Sequence, residues 1–124
     1  MQAQERRRRR GTTVTQSLRY QLAACCEDGG IAAMVVADGD GLPLATSGDA
    51  YACDEVAARM VLAGRKIHEF SGVLLGPGHR WDVQMKKIEL EGTELLVCAV
   101  GGTAEARRRQ LARGAEGARR ILAA

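Results

Sequence analysis

The sequence has few aromatic residues, few prolines and no long apolar run. Only four of its 124 residues are aromatic and two are proline. The core must therefore be built from Ala, Val, Leu, Ile and Met, which favours close packing of helices on a sheet. No apolar stretch approaches the ~20 residues that span a bilayer, and no apolar segment follows the N-terminal arginines as a signal peptide requires. We expect a cytoplasmic protein with one hydrophobic core.

The sequence also lacks a metal-binding motif. Its cysteines form no C-x-x-C pair, and their spacing to His68 or His79 gives no sign of a zinc site. Residues 38–41, Asp-Gly-Asp-Gly, match only a fragment of a calcium loop, and the chain returns to a strand too soon to supply six oxygen ligands. We predict no metal and no cofactor, and reduced, mostly buried thiols at Cys25, Cys26, Cys53 and Cys98.

No catalytic arrangement can be found in the sequence. Neither His68 nor His79 has a recognisable nucleophile with a third orienting group. Residues 76–80, Gly-Pro-Gly-His-Arg, lack the phosphate-binding pattern G-x-x-x-x-G-K-[ST]. We therefore predict that the protein is not an enzyme.

The net charge of +3 conceals basic ends on an acidic body. Residues 1–10 and 103–124 together hold eleven arginines and three glutamates, so the middle of the chain is net acidic. Residues 1–12 have nothing apolar to fold around and are predicted to be a disordered basic arm. Residues 13–124 are predicted to form a single domain.

A hairpin followed by a helix is the strongest local signal. Residues 31–37 are apolar throughout and predict a buried strand. The Asp and Gly residues at 38–41 predict a tight turn, and residues 42–46 a second strand. Pro43 has no N–H for a ladder, which places this strand at a sheet edge. An Ala-rich amphipathic helix begins near Asp49 or Ala50 and extends to about His68.

The remaining elements are less uniform. A first helix is predicted from Thr13 to Gly29–Gly30, and a last helix from Thr103 to Leu122. Residues 95–100 are apolar without interruption and predict the central strand. Trp81, Val83 and Met85 alternate with polar residues, and the phase shift after Lys87 predicts a β-bulge. Residues 73–75 are too few to classify. This order favours an antiparallel sheet covered by helices, an α+β sandwich.

The order and its motifs resemble the Roadblock family. The pattern of hydrophobic strand, Asp, turn glycine and hydrophobic strand stands at residues 35–45 as VVADGDGLPLA. Residues 55–58 in the second helix and 95–101 in the late strand also fit. The resemblance covers about residues 13–122, and it depends on the order of the motifs because each one alone is degenerate.

The resemblance implies a fold and a function. The fold is α-β-β-α-β-β-β-α, with about five antiparallel strands between helices, as in longin-like domains. Members of the family form homodimers in which the sheets join and the second helices pack together. They are non-catalytic adaptors or platforms for small Ras-like GTPases, and bacterial members include an activator of a polarity GTPase that donates no catalytic arginine. We therefore expect a homodimeric adaptor or regulator of a small GTPase.

Candidate contact residues lie on the less apolar flank of the second helix. A solvated face with one stray leucine is the alternative interpretation there. The single tryptophan is either a packing residue or an interface anchor. The candidates for the partner or dimer interface are Arg59, Leu62, Arg65, Lys66 and Trp81.

The arginine run in the arm has three interpretations. It is a solvated tail, a contact for nucleic acid without sequence preference, or a contact for an anionic membrane. The candidate polyanion contacts are Arg6, Arg7, Arg8, Arg9 and Arg10. The alternative function is thus a charge-driven module that docks through its basic ends. A small-molecule sensor is a third hypothesis, although no polar group is placed to select a ligand.

Overall fold

Eight elements make up the fold. The computed structural model describes residues 2–123, and it describes side chains for residues 13–123. The elements are α1 (Gln2–Gly29), β1 (Ala33–Asp38), β2 (Pro43–Gly48), α2 (Ala50–Gly64), β3 (Glu69–Gly76), β4 (His79–Leu90), β5 (Thr93–Val100) and α3 (Ala104–Ala123). This order is the predicted α+β order, with three strands between the second and last helices.

The five strands form one antiparallel sheet in the order β2-β1-β5-β4-β3. The predicted central strand is β5, and the strand with Pro43 lies at one edge, so both predictions are confirmed. The other edge is β3. Strands β1 and β5 are buried on both faces, as their continuous apolar sequences indicate.

The hairpin between β1 and β2 is set by local chemistry. The Asp38 carboxylate accepts hydrogen bonds from the N–H groups of Asp40 (2.9 Å) and Leu42 (3.0 Å). Gly41 adopts φ 85°, a conformation that favours glycine. The side chain of Asp49 caps α2 by accepting from the Ala52 N–H at 2.8 Å. These interactions explain why the hairpin and the helix start could be predicted.

Helices cover the two faces of the sheet unequally. One face packs against α1 and α3 and includes Met34, Val36 and Val97. The opposite face packs against α2 and includes Val35 and Cys98. Each face therefore has its own apolar core, and the sheet separates the layer of α1 and α3 from α2.

Helices α1 and α3 pack antiparallel. The α1 residue Asp28 contacts Arg113 near the middle of α3, and Gln21 contacts Arg113 and Gly117. A Cβ on Gly117 would lie 2.5 Å from the side-chain amide carbon of Gln21. The two α3 glycines at 114 and 117 are buried. Each costs about 1 kcal/mol in helix propensity relative to alanine, and each lets a neighbouring element approach α3 closely.

Several boundaries differ from prediction. The first helix begins at Gln2, so Thr13 lies inside it and is not its cap. The second helix ends at Gly64, which leaves His68 outside it, exposed, before β3. Residues 73–75, which are too few to classify from the sequence, belong to the eight-residue strand β3.

The predicted β-bulge in β4 is wrong. Its pairing with β5 runs without a shift from Val83↔Val100 to Leu90↔Thr93. The apolar phase changes because β4 is buried on its α2 face at Val83 and Met85 and on its other face at Ile88. A change in which face is covered thus has the same sequence pattern as a bulge. The register shift in the sheet lies between β1 and β2 instead, at Val36 and Ala37.

Two predictions concern residues whose side chains lie outside the described part. The division into a basic arm (1–12) and a domain (13–124) stays a prediction. The same holds for the candidate polyanion contacts Arg6 to Arg10.

Candidate interaction surface

The outer face of α2 carries exposed apolar side chains. Tyr51 and Leu62 are exposed by 55% and 62%. At 100° per residue they point in nearly the same direction from the helix, together with Ala58, which is also exposed. The buried residues of α2 lie on the opposite side of this helix. Helix α2 therefore has two apolar faces: one packs on the sheet, and the other, with Tyr51 and Leu62, is exposed.

An aromatic cluster adjoins the first turn of α2. His79 and Trp81 on β4 stack with ring centroids 4.2 Å apart, and Tyr51 meets the ring of His79 edge-on at 5.3 Å. Trp81 is half-buried, as are Phe70 and Leu74 on the neighbouring strand, and all three pack against the α2-side core. Apolar surface thus continues from α2 onto β3 and β4. We call Tyr51, Leu62, Phe70, Leu74 and Trp81 the α2 surface.

Arg59 connects α2 with the edge strand. Its Nη1 donates to the Leu75 carbonyl oxygen at 2.6 Å, and its Nη2 lies 3.3 Å from a Glu55 carboxylate oxygen one turn earlier. Two acceptors on its own chain therefore hold this guanidinium beside β3. The side chain is positioned by the fold and is not extended into solvent.

The free edge of β3 lies beside the α2 surface. Along a strand of an antiparallel pair, the backbone N–H and C=O groups of one residue bond to the neighbouring strand, and those of the next residue point away from it. The Lys87 N–H donates to the His68 carbonyl oxygen at 2.7 Å, and the register continues to Gly76↔His79. The residues that direct their backbone groups away from β4 are therefore Glu69, Ser71, Val73 and Leu75. The Leu75 carbonyl already accepts from Arg59, and the part of the edge from Glu69 to Val73 is available to pair with another strand.

No family model matches the sequence, and no curated protein matches it. Solved structures do match. A MglB with a tetrameric arrangement superposes with a TM-score of 0.66 at 17% identity, over 87% of this chain and 89% of the other. The gliding protein MglB from Thermus thermophilus gives 0.63 at 18% identity, over 87% and 90%. A Roadblock/LC7 domain from Streptomyces avermitilis gives 0.58 at 17% identity, over 86% and 98%.

The protein has a Roadblock-type fold. The five antiparallel strands and three helices agree with this description, which confirms the fold expected from the sequence. At these identities the comparisons establish the fold, and the partners of this chain are a separate question.

The predicted contact residues are spread along α2 of this Roadblock-type fold. Leu62 lies on the outer face and Arg59 on the flank that faces β3. Arg65 is the C-cap and Lys66 follows it, both exposed. Trp81 lies at the other end, beside Tyr51. Tyr51 and Leu62 are eleven residues apart, or about 16 Å along the axis, so the five candidates border one surface without forming one cluster.

Tyr51, His79 and the β3 edge are not among the contact residues predicted from the sequence. The helical spacing of Tyr51 and Leu62 was a usable signal, because residues eleven apart share a helix face. The sequence favours a loop position for His79, and its stacking on Trp81 depends on the extent of β4. The β3 edge requires the strand order, which local patterns do not contain.

The thiols of the described residues are free and mostly buried. Cys25, Cys53 and Cys98 are buried and Cys26 is half-buried. Burial raises the pKa of the Cys53 thiol to about 11 and that of Cys98 to about 12. These thiols lack the lowered pKa of a reactive nucleophile.

Metal-binding clusters and membrane-spanning helices are absent from the described part of the chain. No group of three His, Cys, Asp or Glu residues there could hold a metal ion. No helix within residues 2–123 is long and apolar enough to cross a membrane.

Proposed function

We propose that the protein is a non-catalytic, homodimeric adaptor that binds and regulates a small Ras-like GTPase. The observation that carries this proposal is the α2 surface, an exposed apolar area that adjoins an unpaired strand edge. The Roadblock-type fold supports it, because the family resemblance of the sequence implies the same role.

The exposed edge of β3 and the exposed side chains of α2 support the proposed homodimer. Strand β3 has outward backbone groups over Glu69–Gly76, and two antiparallel copies of one strand can pair about a twofold axis. Tyr51 and Leu62 on α2 would then be buried between copies. A stable dimer buries roughly 1,200–2,000 Å² in total, and a fifteen-residue helix with a strand edge provides a surface of that kind.

Regulation of the GTPase would depend on positioning. Phosphoryl transfer from GTP depends chiefly on the orientation of groups and on electrostatic stabilisation. Arg59 is held by the Leu75 carbonyl and by Glu55, so it is not poised to enter a partner's active site. We therefore propose that any change in hydrolysis rate comes from ordering the GTPase's own residues.

The test uses purified small GTPases from the same genome, loaded with GDP or with a non-hydrolysable GTP analogue. We expect one of them to bind with a preference for one nucleotide state and to hydrolyse GTP at a changed rate. Leu62→Glu should weaken this binding, whereas Tyr20→Glu serves as the control, since Tyr20 is similarly exposed on α1, on the other side of the sheet. Absence of binding to every GTPase tried would refute the proposal.

The alternative through the N-terminal arm can be separated from this proposal. Deleting residues 1–12 should leave GTPase binding intact if the α2 surface is the contact. A module that docks on polyanions through Arg6 to Arg10 would instead lose its main function.

A further inference from the structure

The outer face of α3 is rich in arginine. This helix holds six arginines and two glutamates. Arg107 is buried, and its Nη1 donates to the carbonyl oxygens of Gly101 (2.9 Å) and Gly102 (3.0 Å). The other five side chains are exposed to solvent. They are Arg108, Arg109, Arg113, Arg119 and Arg120.

Three of these arginines make no salt bridge with any described side chain. Arg109 pairs with Glu105 at 3.1 Å, and Arg113 pairs with Asp28 of α1 at 2.7 Å. The remaining three are Arg108, Arg119 and Arg120. Arg108 borders a groove between α3 and β3 that Glu69 also lines, whereas Arg119 and Arg120 lie farther along the helix, next to Glu116. Within residues 13–29 and 104–123, seven arginines outnumber four carboxylates, so the described part of this layer has a net positive charge.

The layer formed by α1 and α3 does not allow α3 to protrude. Gly117 packs directly against Gln21 of α1, and Gly29 of α1 packs against Gln110 of α3. The two helices thus lie side by side on the sheet. A helix that reads base edges in duplex DNA enters the major groove, and a helix packed flat beside a neighbour has less of its surface free for such insertion. A broad, flat, positively charged layer is better suited to a flat anionic surface.

We propose that the outer face of α3 docks the protein on a membrane that contains anionic lipids. Basic residues near such a surface are attracted by its negative potential. Tyr20 supports this choice, since it is 68% exposed on α1 of the same layer, and tyrosine favours the boundary between lipid and water. The α2 surface lies on the opposite side of the sheet and stays available to a protein partner.

The attraction is electrostatic, so its size can be calculated. Each basic residue near an anionic bilayer strengthens binding by about fivefold at moderate salt. Neutralising two arginines should therefore weaken binding by about 25-fold. Because surface charges are screened within about 10 Å at 0.1 M salt, raising the salt to about 1 M should release the protein.

The experiment measures sedimentation of the full chain with vesicles of phosphatidylcholine, with or without about 30% phosphatidylserine. The test variant is Arg119→Gln/Arg120→Gln, and the charge-preserving variant is Arg119→Lys/Arg120→Lys. The control, Arg65→Gln/Lys66→Gln, removes the same charge at the end of α2. Residues 6–10 are unchanged in all variants, so any contribution of theirs to vesicle affinity cancels when the affinities of the variants are compared.

A second measurement tests the orientation. Trp81 lies on the α2 side of the sheet, so brominated lipids should leave its fluorescence unquenched. A Tyr20→Trp/Trp81→Phe variant should be quenched on binding.

We expect the unmodified protein to bind vesicles only when they contain phosphatidylserine. The α3 glutamine variant should lose this binding, and the α3 lysine variant and the α2 control should keep it. Equal losses for the α3 and α2 glutamine pairs would overturn the proposal, because only net charge would then matter. Quenching of Trp81 without quenching at position 20 would overturn the assigned face. Binding to a DNA duplex without binding to vesicles would show that the partner is nucleic acid.

Discussion

Replacing Leu62 with alanine tests whether the outer face of α2 is a dimer interface. Leu62 is exposed by 62% in the single chain, so the substitution should change the stability of the monomer little. In a symmetric dimer the same side chain would be buried in both copies. The prediction is therefore a loss of association without a loss of folding.

The size of the effect follows from the exposed fraction. Full burial of a leucine side chain is worth about 1.5–3 kcal/mol, and 62% of that is about 1–2 kcal/mol for each copy of Leu62. The two copies of Leu62 in a symmetric dimer would together contribute about 2–4 kcal/mol to the free energy of association. At 1.4 kcal/mol per tenfold, the dimer dissociation constant should rise between about 30-fold and several hundredfold.

Sedimentation equilibrium over a range of concentrations measures this constant. Tyr20→Ala is the matched control, because Tyr20 is 68% exposed but lies on α1, on the other side of the sheet from α2. We expect the control to dimerise as the unmodified protein does. The reasoning fails if both variants have the same constant, or if the unmodified protein stays a monomer at every concentration.

Two further predictions concern stability. Gly48→Ala should lower the free energy of unfolding by about 3 kcal/mol or more, because residue 48 has φ 95° and an added Cβ would overlap the Ala32 carbonyl oxygen. The control Gly78→Ala, at a residue with φ 78° and open space around it, should lower it by only about 1 kcal/mol. Equal losses for the two variants in urea unfolding would exclude the steric cause. Burial raises the pKa of the Cys98 thiol from its ordinary 9.0 to about 12, so this thiol should lower the stability as pH rises from 9 to 12 and the unfolded chain ionises, by at most about 1.4 kcal/mol per pH unit. Cys98→Ala should reduce the dependence without abolishing it, because the buried Cys53 thiol contributes in the same direction; an unchanged slope would contradict the assigned burial of Cys98.

Local chemistry made part of the fold predictable. The hairpin at residues 38–42 depends on Asp38 bonding to its own turn, and α2 begins where Asp49 caps it. The last helix begins at its predicted cap, Thr103, whose hydroxyl oxygen accepts from the Ala106 N–H at 3.1 Å. In each case the residues that decide the structure are neighbours in sequence.

Strands β3 and β4 are harder to predict because their burial depends on distant helices. Strand β3 alternates between exposed and half-buried positions. Because the exposed positions include the apolar residues Val73 and Leu75, the sequence of β3 does not alternate between polar and apolar residues. In β4, the covered face changes between Met85 and Ile88 because α2 and α3 cover different parts of it. Neither effect can be derived without the positions of the helices.

The site was predictable to the same extent. The outer face of α2 can be derived from helical spacing, since Leu62 is a contact candidate in the sequence and Tyr51 shares its direction. The neighbouring surface on the sheet cannot, because Tyr51 meets His79 and Trp81 across about thirty residues of sequence. Arg59 is a candidate for an open contact in the sequence, but its hydrogen bond to the Leu75 carbonyl gives it a structural role at the strand edge.

The sheet makes the two proposed surfaces independent in one chain and coupled in a dimer. Leu62 and Trp81 lie on the α2 side, whereas Arg119 and Arg120 lie on the exposed side of the opposite layer. A twofold axis perpendicular to the sheet that joins two β3 edges would place both α2 helices on one side and both α3 faces on the other. The membrane-facing side would then carry two arginine faces, and two linked contacts bind more tightly than one. Substitutions on α3 would nevertheless leave the α2 surface unchanged, so each proposal can fail without the other.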